Sequence, residues 1–486
     1  MSFWNLENLR AVMNGSWLVR PARQLPAEAM GASIDTRTLT RGNVFFALRG
    51  ERVDGHKFLK AAAGAGASLA VVEDPSCAAG VPPDFPLLQV ESVSAALLKC
   101  AAEYRKTLEG TRVISVGGSN GKTTTTRLIE SLLAPHFRGV ASPKSFNNAI
   151  GVPLTILSAR RGDQYLLCEV GTNATGEIAE LARVVAPEIA VITSIGREHL
   201  EGLNSVAGVI AEESNIAPEI RPGGVAIIAA QPRELYDSVR GLMPGGKSGA
   251  NVVRFGTSES AELRVDSVNT DETGTSFAIN RRAKFRVPLL GAHNAMNAAA
   301  AIAVARRFGL DDEVIRKSLE QAKGPDMRMK LESRGSISLL NDAYNANPDS
   351  MLASLRAFAD LSRHRHPRRR IVVLADMLEM GDSGPDVHRE IGDAVAGDAG
   401  IDLAVLVGPL MLFAAERVRK SWPGEKVLNL PAMDDDTARR IADLLRPGDF
   451  VLLKGSRGMG VERVLKALDS TGPEVTVPGA GIPVTK

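Results

Sequence analysis

Arg112-Val113-Ile114-Ser115-Val116-Gly117-Gly118-Ser119-Asn120-Gly121-Lys122-Thr123-Thr124 is the stretch on which the fold turns. Its first half is an apolar run entering glycines and reads as a strand. Its second half opens Lys122 to Ala134 (KTTTTRLIESLLA), an amphipathic helical pattern. A glycine loop between a strand and a helix is the setting of a phosphate loop. There, backbone N–H groups of Gly118, Ser119, Asn120 and Gly121 would turn onto phosphate oxygens, and the helix N-terminus would add partial positive charge. Lys122 would reach the outer phosphates and Thr123 would ligate Mg²⁺, with Thr124 completing the motif. The plain alternative is a glycine turn before a helix, and it leaves Lys122-Thr123-Thr124 unexplained. The usual spacing puts the first glycine where Val116 stands, so the loop is not that of a generic ATPase.

Working outward, the apolar runs Gln164 to Gly171, Ile189 to Gly196 and Gly224 to Ala230 alternate with helical stretches. That order predicts a mostly parallel sheet covered by helices on both faces. Upstream, Asn43 to Leu48 and Ser68 to Asp74 read as strands around the helical stretch HKFLKAAAGAG, which describes a small α/β unit. VPPDFP (Val81 to Pro86) reads as a loop. Downstream of Gly335, SISLLNDAY, RRIVVLADM, IDLAVLVG and DFVLLKGS repeat the alternation on a separate sheet, with SMLASLRAFADL and TARRIADLLR as helices. The expected fold class is α/β in three domains, spanning 1–108, 109–332 and 333–486. The Gly- and Pro-rich tail after Asp469 is expected to be loosely ordered.

At 486 residues the chain is too long for one ordinary domain, and 44% hydrophobic with 23% charged residues is enough to fill several cores. A net charge of +2 points to no polyanionic partner, and His364 to Arg370 (HRHPRRR) reads as a solvated loop, so no nucleic acid is expected. The dispersed Cys77, Cys100 and Cys168 suit a reducing compartment. The start MSFWNLENLR lacks a signal-peptide core, and no apolar run is long enough for a membrane span. A cytoplasmic protein is expected.

Glu169 and His199 each follow an apolar strand, where a parallel sheet presents ligand-binding residues. Near a triphosphate they could hold Mg²⁺. Taken singly, either is more simply structural. Asn294 and Asn297 lie about one helical turn apart and suit an adenine edge; the competing reading makes Asn294 a helix cap. Arg328 and Asp342 flank the second domain junction, where a cation could close on phosphate and a carboxylate could meet a ribose or an amine. Outside that setting, both read as surface charges.

Together these residues resemble the Mur ligase family, which builds the peptide stem of bacterial peptidoglycan. The resemblance rests on Ser33-Ile34-Asp35-Thr36-Arg37 and FFALRGERVDGH, on GGSNGKTT and SFNNAIGVPLTIL, and on NDAYNANP, LADMLEMGD and LLKGSRGMGVE. It implies a three-domain architecture with a small N-terminal α/β domain for a uridine nucleotide, a central phosphate-loop ATPase-like sheet and a C-terminal Rossmann-like domain. Several segments are typical of the member that joins D-alanyl-D-alanine to UDP-N-acetylmuramoyl-tripeptide using ATP and Mg²⁺. The resemblance assigns triphosphate and Mg²⁺ to Lys122 and Thr123, and the metals to Glu169 and His199. It assigns ATP contacts to Asn294, Asn297, Arg328 and Asp342. Ser33, Asp35, Arg37, Asn147 and Asn148 would place the UDP-linked substrate. Asn345, Asn347 and Leu378-Glu379-Met380-Gly381 would place the dipeptide. The implied mechanism is an acyl phosphate attacked by an amine, shielded from water by domain closure, in a monomer. The rival readings are a related ligase with another acceptor, including folylpolyglutamate-type enzymes, and a non-catalytic relative that binds ATP or the precursor.

Four positions depart from the family. Glu213 stands where a carbamylated lysine is usual; its carboxylate is permanent but lies about three bonds nearer the backbone than a carbamate on lysine, and remains acceptor-only when ionised. Glu213 is expected to replace the carbamate, with Glu212 as the neighbouring candidate on another helix face. Gly117 replaces a common threonine, Glu198 a small residue and Met327 a glycine.

Overall fold

The computed structural model describes residues 2–21, 28–50, 53–245 and 251–471. Glu51 and Arg52 of the FFALRGERVDGH segment, and the tail from position 472, lie outside the described residues. The described residues form two compact units divided after Pro325, except that Thr270–Thr273 and Leu289–Gly291 belong with the second.

The first unit carries two sheets. The smaller has the spatial order Ser16–Val19, Leu87–Gln89, Leu69–Val72, Val44–Phe46, Ala32–Ser33, parallel except for its first pair. The larger has nine strands. Its parallel core runs Val225–Ala229, Ile189–Ile192, Arg112–Gly117, Tyr165–Glu169, Gly139–Ala141. Val113, Ile114 and Val116 are fully buried, as a central strand covered on both faces requires. Beyond Val225–Ala229 the sheet extends through Val252–Gly256 and Leu263–Asp271 to the antiparallel pair Gly274–Ile279 and Ala283–Val287. This extension was not expected from the sequence: Leu263–Asp271 is mostly half-exposed and polar, with little apolar signal.

One helix joins the two sheets. Val93–Lys106 buries Val93, Leu97 and Cys100 in the core that also holds Val152, Ile156 and Leu181. Its Arg105 is 2% exposed and donates to Val185 O and Ala186 O, each at 2.9 Å, and to Glu188. A buried guanidinium survives only with such partners, so this contact fixes the N-terminal segment on the central sheet.

The second unit has one six-stranded sheet, ordered Lys330–Arg334, Ile337–Asp342, Asp449–Lys454, Arg369–Ala375, Leu403–Val407, Val427–Leu430, parallel except for the first pair. All four expected strands of this region are present. The HRHPRRR segment is not the loop expected of it. The helix Pro348–Arg365 runs into it and the strand Arg369–Ala375 begins inside it. Arg369 pairs at 2.6 Å with Asp449, which is 1% exposed, so a buried carboxylate recruits a residue that looks solvated in the sequence.

Candidate active site

The phosphate loop leaves the C-terminal end of the central strand Arg112–Gly117 and opens the helix Lys122–Leu133. Gly121 has φ +88, which L side chains rarely adopt, and its α-carbon faces the Asn297 side chain, so neither the backbone nor the space allows another residue. The loop is stitched to the segment after strand Ile189–Ile192. Ser119 N–H donates to Ser194 O at 2.8 Å, Asn120 N–H to Ser194 Oγ at 2.9 Å, and Gly196 N–H to Ser119 Oγ at 2.8 Å. Lys122 Nζ donates back to Gly118 O at 2.5 Å and Ser119 O at 3.3 Å, and lies 3.5 Å from Glu198 Oε2.

Thr123 Oγ1 donates to Glu169 Oε1 at 3.0 Å, and Asn147 Nδ2 approaches the same oxygen at 3.4 Å. Thr123 and Glu169 are 5% and 3% exposed, so two of the three residues expected at the metal, Thr123 and Glu169, meet in a buried setting, with Asn147 of the expected substrate segment beside them. Hydroxyl and carboxylate oxygens suit a hard cation, which Mg²⁺ takes from one or two protein groups plus phosphate oxygens. His199, in a left-handed conformation (φ +48), has Nε2 3.9 Å from Glu198 Oε2, the oxygen that Lys122 Nζ also approaches.

Asn294 is not a helix cap. It lies inside the helix His293–Arg307, whose cap position is Ala292. Its Oδ1 accepts from Asn297 Nδ2 at 2.9 Å, and Asn297 Oδ1 receives Thr125 Oγ1 at 3.4 Å. Both asparagines therefore back the start of the phosphate-loop helix. Asn148 Oδ1 accepts from Ile150 and Gly151 N–H at 3.1 and 3.0 Å, turning the chain into the helix Gly151–Ser158. That helix packs on the strand Ala32–Ser33, which brings the SFNNAIGVP segment to the Ser33-Asp35-Arg37 turn. Arg37 Nη2 pairs with Asp35 at 2.6 Å and holds its carboxyl down to about 2.

The departures now have physical partners. Glu212 caps the helix Glu177–Val185, accepting from Gly176 and Ile178 N–H at 2.8 Å each. Glu213 points the other way, and its Oε2 accepts from Gly118 N–H at 2.7 Å. Its helix, Val206–Ser214, sits close enough for this direct bond. A Cβ on Gly117 would lie 2.8 Å from that Oε2. The missing threonine and the glutamate are thus sterically matched. Glu213 is 1% exposed, and its other oxygen, Oε1, has no hydrogen-bond partner. Burial pushes its carboxyl up from 4.5 to about 7, against the pull of Lys122. Glu198, 6% exposed, likewise has an unpartnered oxygen.

The remaining expected residues lie in the second unit. Asp342 Oδ2 accepts from Lys454 Nζ and Ser354 Oγ, both at 2.6 Å, and Oδ1 from Met329 N–H at 3.1 Å. Lys454 also donates to Asn345 O at 3.1 Å. Asn347 caps the helix Pro348–Arg365 in a reciprocal bond pair with Ser350. Arg328 lies over the Tyr344 ring at 4.3 Å. The sequence reading missed Lys454; its signal was a lysine ending the apolar run Phe450–Leu453.

Family models match three consecutive parts of the chain: "Mur ligase family, catalytic domain" at residues 29–105, "Mur ligase middle domain" at 116–305, and "Mur ligase, glutamate ligase domain" at 327–457. The UDP-N-acetylmuramoyl-tripeptide–D-alanyl-D-alanine ligase of Bacillus subtilis is 35% identical over 440 residues, covering 90% of this chain and 93% of that protein. A solved structure of MurF from Acinetobacter baumannii is 28% identical, with TM-score 0.82 over 96% of this chain and 99% of that one. The MurF ligase of Thermotoga maritima, solved in complex with ADP, shares the fold at 24% identity, with TM-score 0.75 over 91% of this chain and 97% of that one.

Proposed function

The chain belongs to the Mur ligase family, and from that premise we propose that it joins D-alanyl-D-alanine to UDP-N-acetylmuramoyl-tripeptide at the expense of ATP, in peptidoglycan precursor synthesis. The observation that carries this reading is the buried Thr123–Glu169 contact at the mouth of a phosphate loop, in a chain similar to such a ligase over 90% of its length.

The chemistry follows from charge. The tripeptide carboxylate attacks the γ-phosphorus of ATP, ADP leaves, and an acyl phosphate forms. The free amine of the dipeptide attacks the acyl carbon, inorganic phosphate leaves, and the amine loses a proton. Two anions must meet in the first step, so the site must supply positive charge. Lys122 is held within 3.5 Å of Glu198 and would move from the loop carbonyls onto phosphate oxygens. Gly118, Ser119 and Asn120 N–H are engaged with Glu213 and Ser194. The N-terminal end of the helix Lys122–Leu133 would add its partial positive charge to anion binding. Thr123, Glu169 and His199 would hold Mg²⁺, which would supply charge neutralisation between the phosphates and the carboxylate. Glu213 takes the place of the carbamylated lysine by bracing the loop at Gly118. A non-catalytic relative would be favoured by the loss of that lysine, and the contact of Glu213 with the phosphate loop argues against it.

Asn294, Asn297 and Arg328 would meet the nucleotide. Ser33, Asp35, Arg37 and Asn147 would meet the UDP-linked substrate, and Asn345 with the Leu378–Gly381 loop the dipeptide. Among the described residues no helix is long and apolar enough to cross a membrane; the reading places the enzyme in the cytoplasm as a monomer, which light scattering would check. The decisive test is phosphate release with ATP and Mg²⁺, adding each substrate singly and together. Release that needs both, with the joined product seen by mass, supports the reading. Release with a different amine, or ATP binding without turnover, defeats it.

A further inference from the structure

The loop that follows strand Arg369–Ala375 sits at the C-terminal edge of the second unit's parallel sheet, where ligands of such sheets bind. Its tip is strained and open: Glu379 has φ +63, and Leu378 is 40% exposed although apolar. A strained tip persists only if its flanks are over-determined. Three successive backbone groups show how. Asp376 O accepts from Ser456 N–H at 3.1 Å, Met377 N–H donates to His388 Nε2 at 3.0 Å, and Leu378 N–H donates to Ser456 Oγ at 2.9 Å.

His388 is the unusual member. It lies on the helix Gly384–Gly397 and is fully buried. Its Nδ1 is 2.6 Å from Gly384 O, a carbonyl that can only accept, so Nδ1 carries the proton. Nε2 must then be the bare acceptor that Met377 N–H requires. One ring ties the helix start to the loop start and does so only as the neutral Nδ1–H tautomer. Burial favours that neutral form, holding the group below the ordinary imidazole range. No titration is needed for the proposed reaction, and His388 touches none of the residues assigned to the nucleotide.

We infer that His388 is a positioning residue for the amine acceptor: by latching Met377 N–H it holds the Leu378–Gly381 loop in the shape that receives the dipeptide. The inference rests on the reading of this loop as part of the acceptor site. It separates His388 from a general core residue, because the latch serves one substrate of three.

The test exploits the geometry of amides. The Gln oxygen can occupy the place of Nε2 and accept from Met377 N–H; the shorter Asn can reproduce only the Nδ1 bond to Gly384 O. The full-length wild type, His388→Gln and His388→Asn are compared by steady-state kinetics, with each of the three substrates varied in turn. His388→Asn is expected to raise KM for D-alanyl-D-alanine about tenfold, the scale of one lost buried hydrogen bond. KM for ATP and for the UDP-linked substrate stays within twofold, on the order of experimental error for an uninvolved site. His388→Gln restores most of the dipeptide KM. An unchanged dipeptide KM in His388→Asn overturns the inference, as does an equal rise for all three substrates or a failure of Gln to rescue a folded protein. If wild type turns over only with another amine, the acceptor reading fails by itself, and the same KM split is read against that amine.

Discussion

Two buried carboxylates, one in each unit, show opposite designs. Asp342 is fully satisfied: Lys454, Ser354 and Met329 N–H fill its two oxygens. Glu213 is more deeply buried yet half satisfied, with one bond to Gly118 and one empty oxygen. A buried polar group left unpaired is costly, so a protein keeps one where a ligand or a reaction supplies the missing partner. A satisfied network holds its segments together without further help. Asp342 ties together the segments around it; Glu213 keeps one oxygen open.

The contrast makes removal of a partner informative in sign as well as size. Lys454→Ala leaves Asp342 charged, buried and without its counter-ion, and is expected to destabilise the protein by about 3 kcal/mol, the two remaining hydrogen bonds offsetting part of the loss, read by urea unfolding. Glu213→Gln should do the reverse to the ligand-free protein. The folded pKa of Glu213 is about 7 against 4.5 for the ordinary group. A raised folded pKa means the carboxyl contributes fully below 4.5, and that contribution is lost as pH rises towards 7. The neutral amide does not titrate, so its stability advantage over wild type should grow across that window, up to about 3 kcal/mol. Its activity should fall about 100-fold, in line with loss of one preorganised electrostatic group, while wild type is indifferent to CO₂-depleted buffer. Full activity of the amide under those conditions would return Glu213 to the class of Asp342.

A smaller effect tests whether the loop and Glu213 form one unit. Gly117→Ala places a methyl 2.8 Å from Glu213 Oε2 and should lower kcat about tenfold. Glu213→Asp withdraws the carboxylate, so the double variant should lose less than the two single losses combined. Strict additivity would mean that the glycine and the glutamate vary independently.

Legibility in the sequence followed locality. The phosphate loop, its helix and the parallel strands were readable, because glycine spacing, apolar runs and helical periodicity are local signals. Glu213 was distinguishable from Glu212 by helix face, and the structure assigns the two as capping and loop contacts. The partners of Lys454, Ser456 and His388 were not readable. Lys454 meets Asp342 from an adjacent parallel strand, Ser456 meets Leu378 from a distant part of the chain, and His388 meets Met377 through a loop that no periodicity describes. Asp342 and Asn347, expected at ATP and at the dipeptide, have side chains bonded to Lys454 and Ser350, partners that no local pattern announces.

The smallest effect concerns the last departure. Met327 replaces an expected glycine, and its φ of +54 shows what glycine would be for. A left-handed L-residue costs about 1–2 kcal/mol, but glycine also loosens the unfolded chain by about 0.5–1 kcal/mol. Met327→Gly should therefore gain only about 0.5 kcal/mol, a rise in Tm of about 1–2 °C. Met327 also lies 3.8 Å through its sulfur from Arg457 Nη1, while its carbonyl accepts from Tyr344 N–H, a bond glycine keeps. A fall in Tm would mean that the sulfur contact outweighs the strain, and that methionine is here for packing against Arg457; a rise with unchanged kinetics would make it a tolerated strain that the satisfied network around Asp342 can absorb.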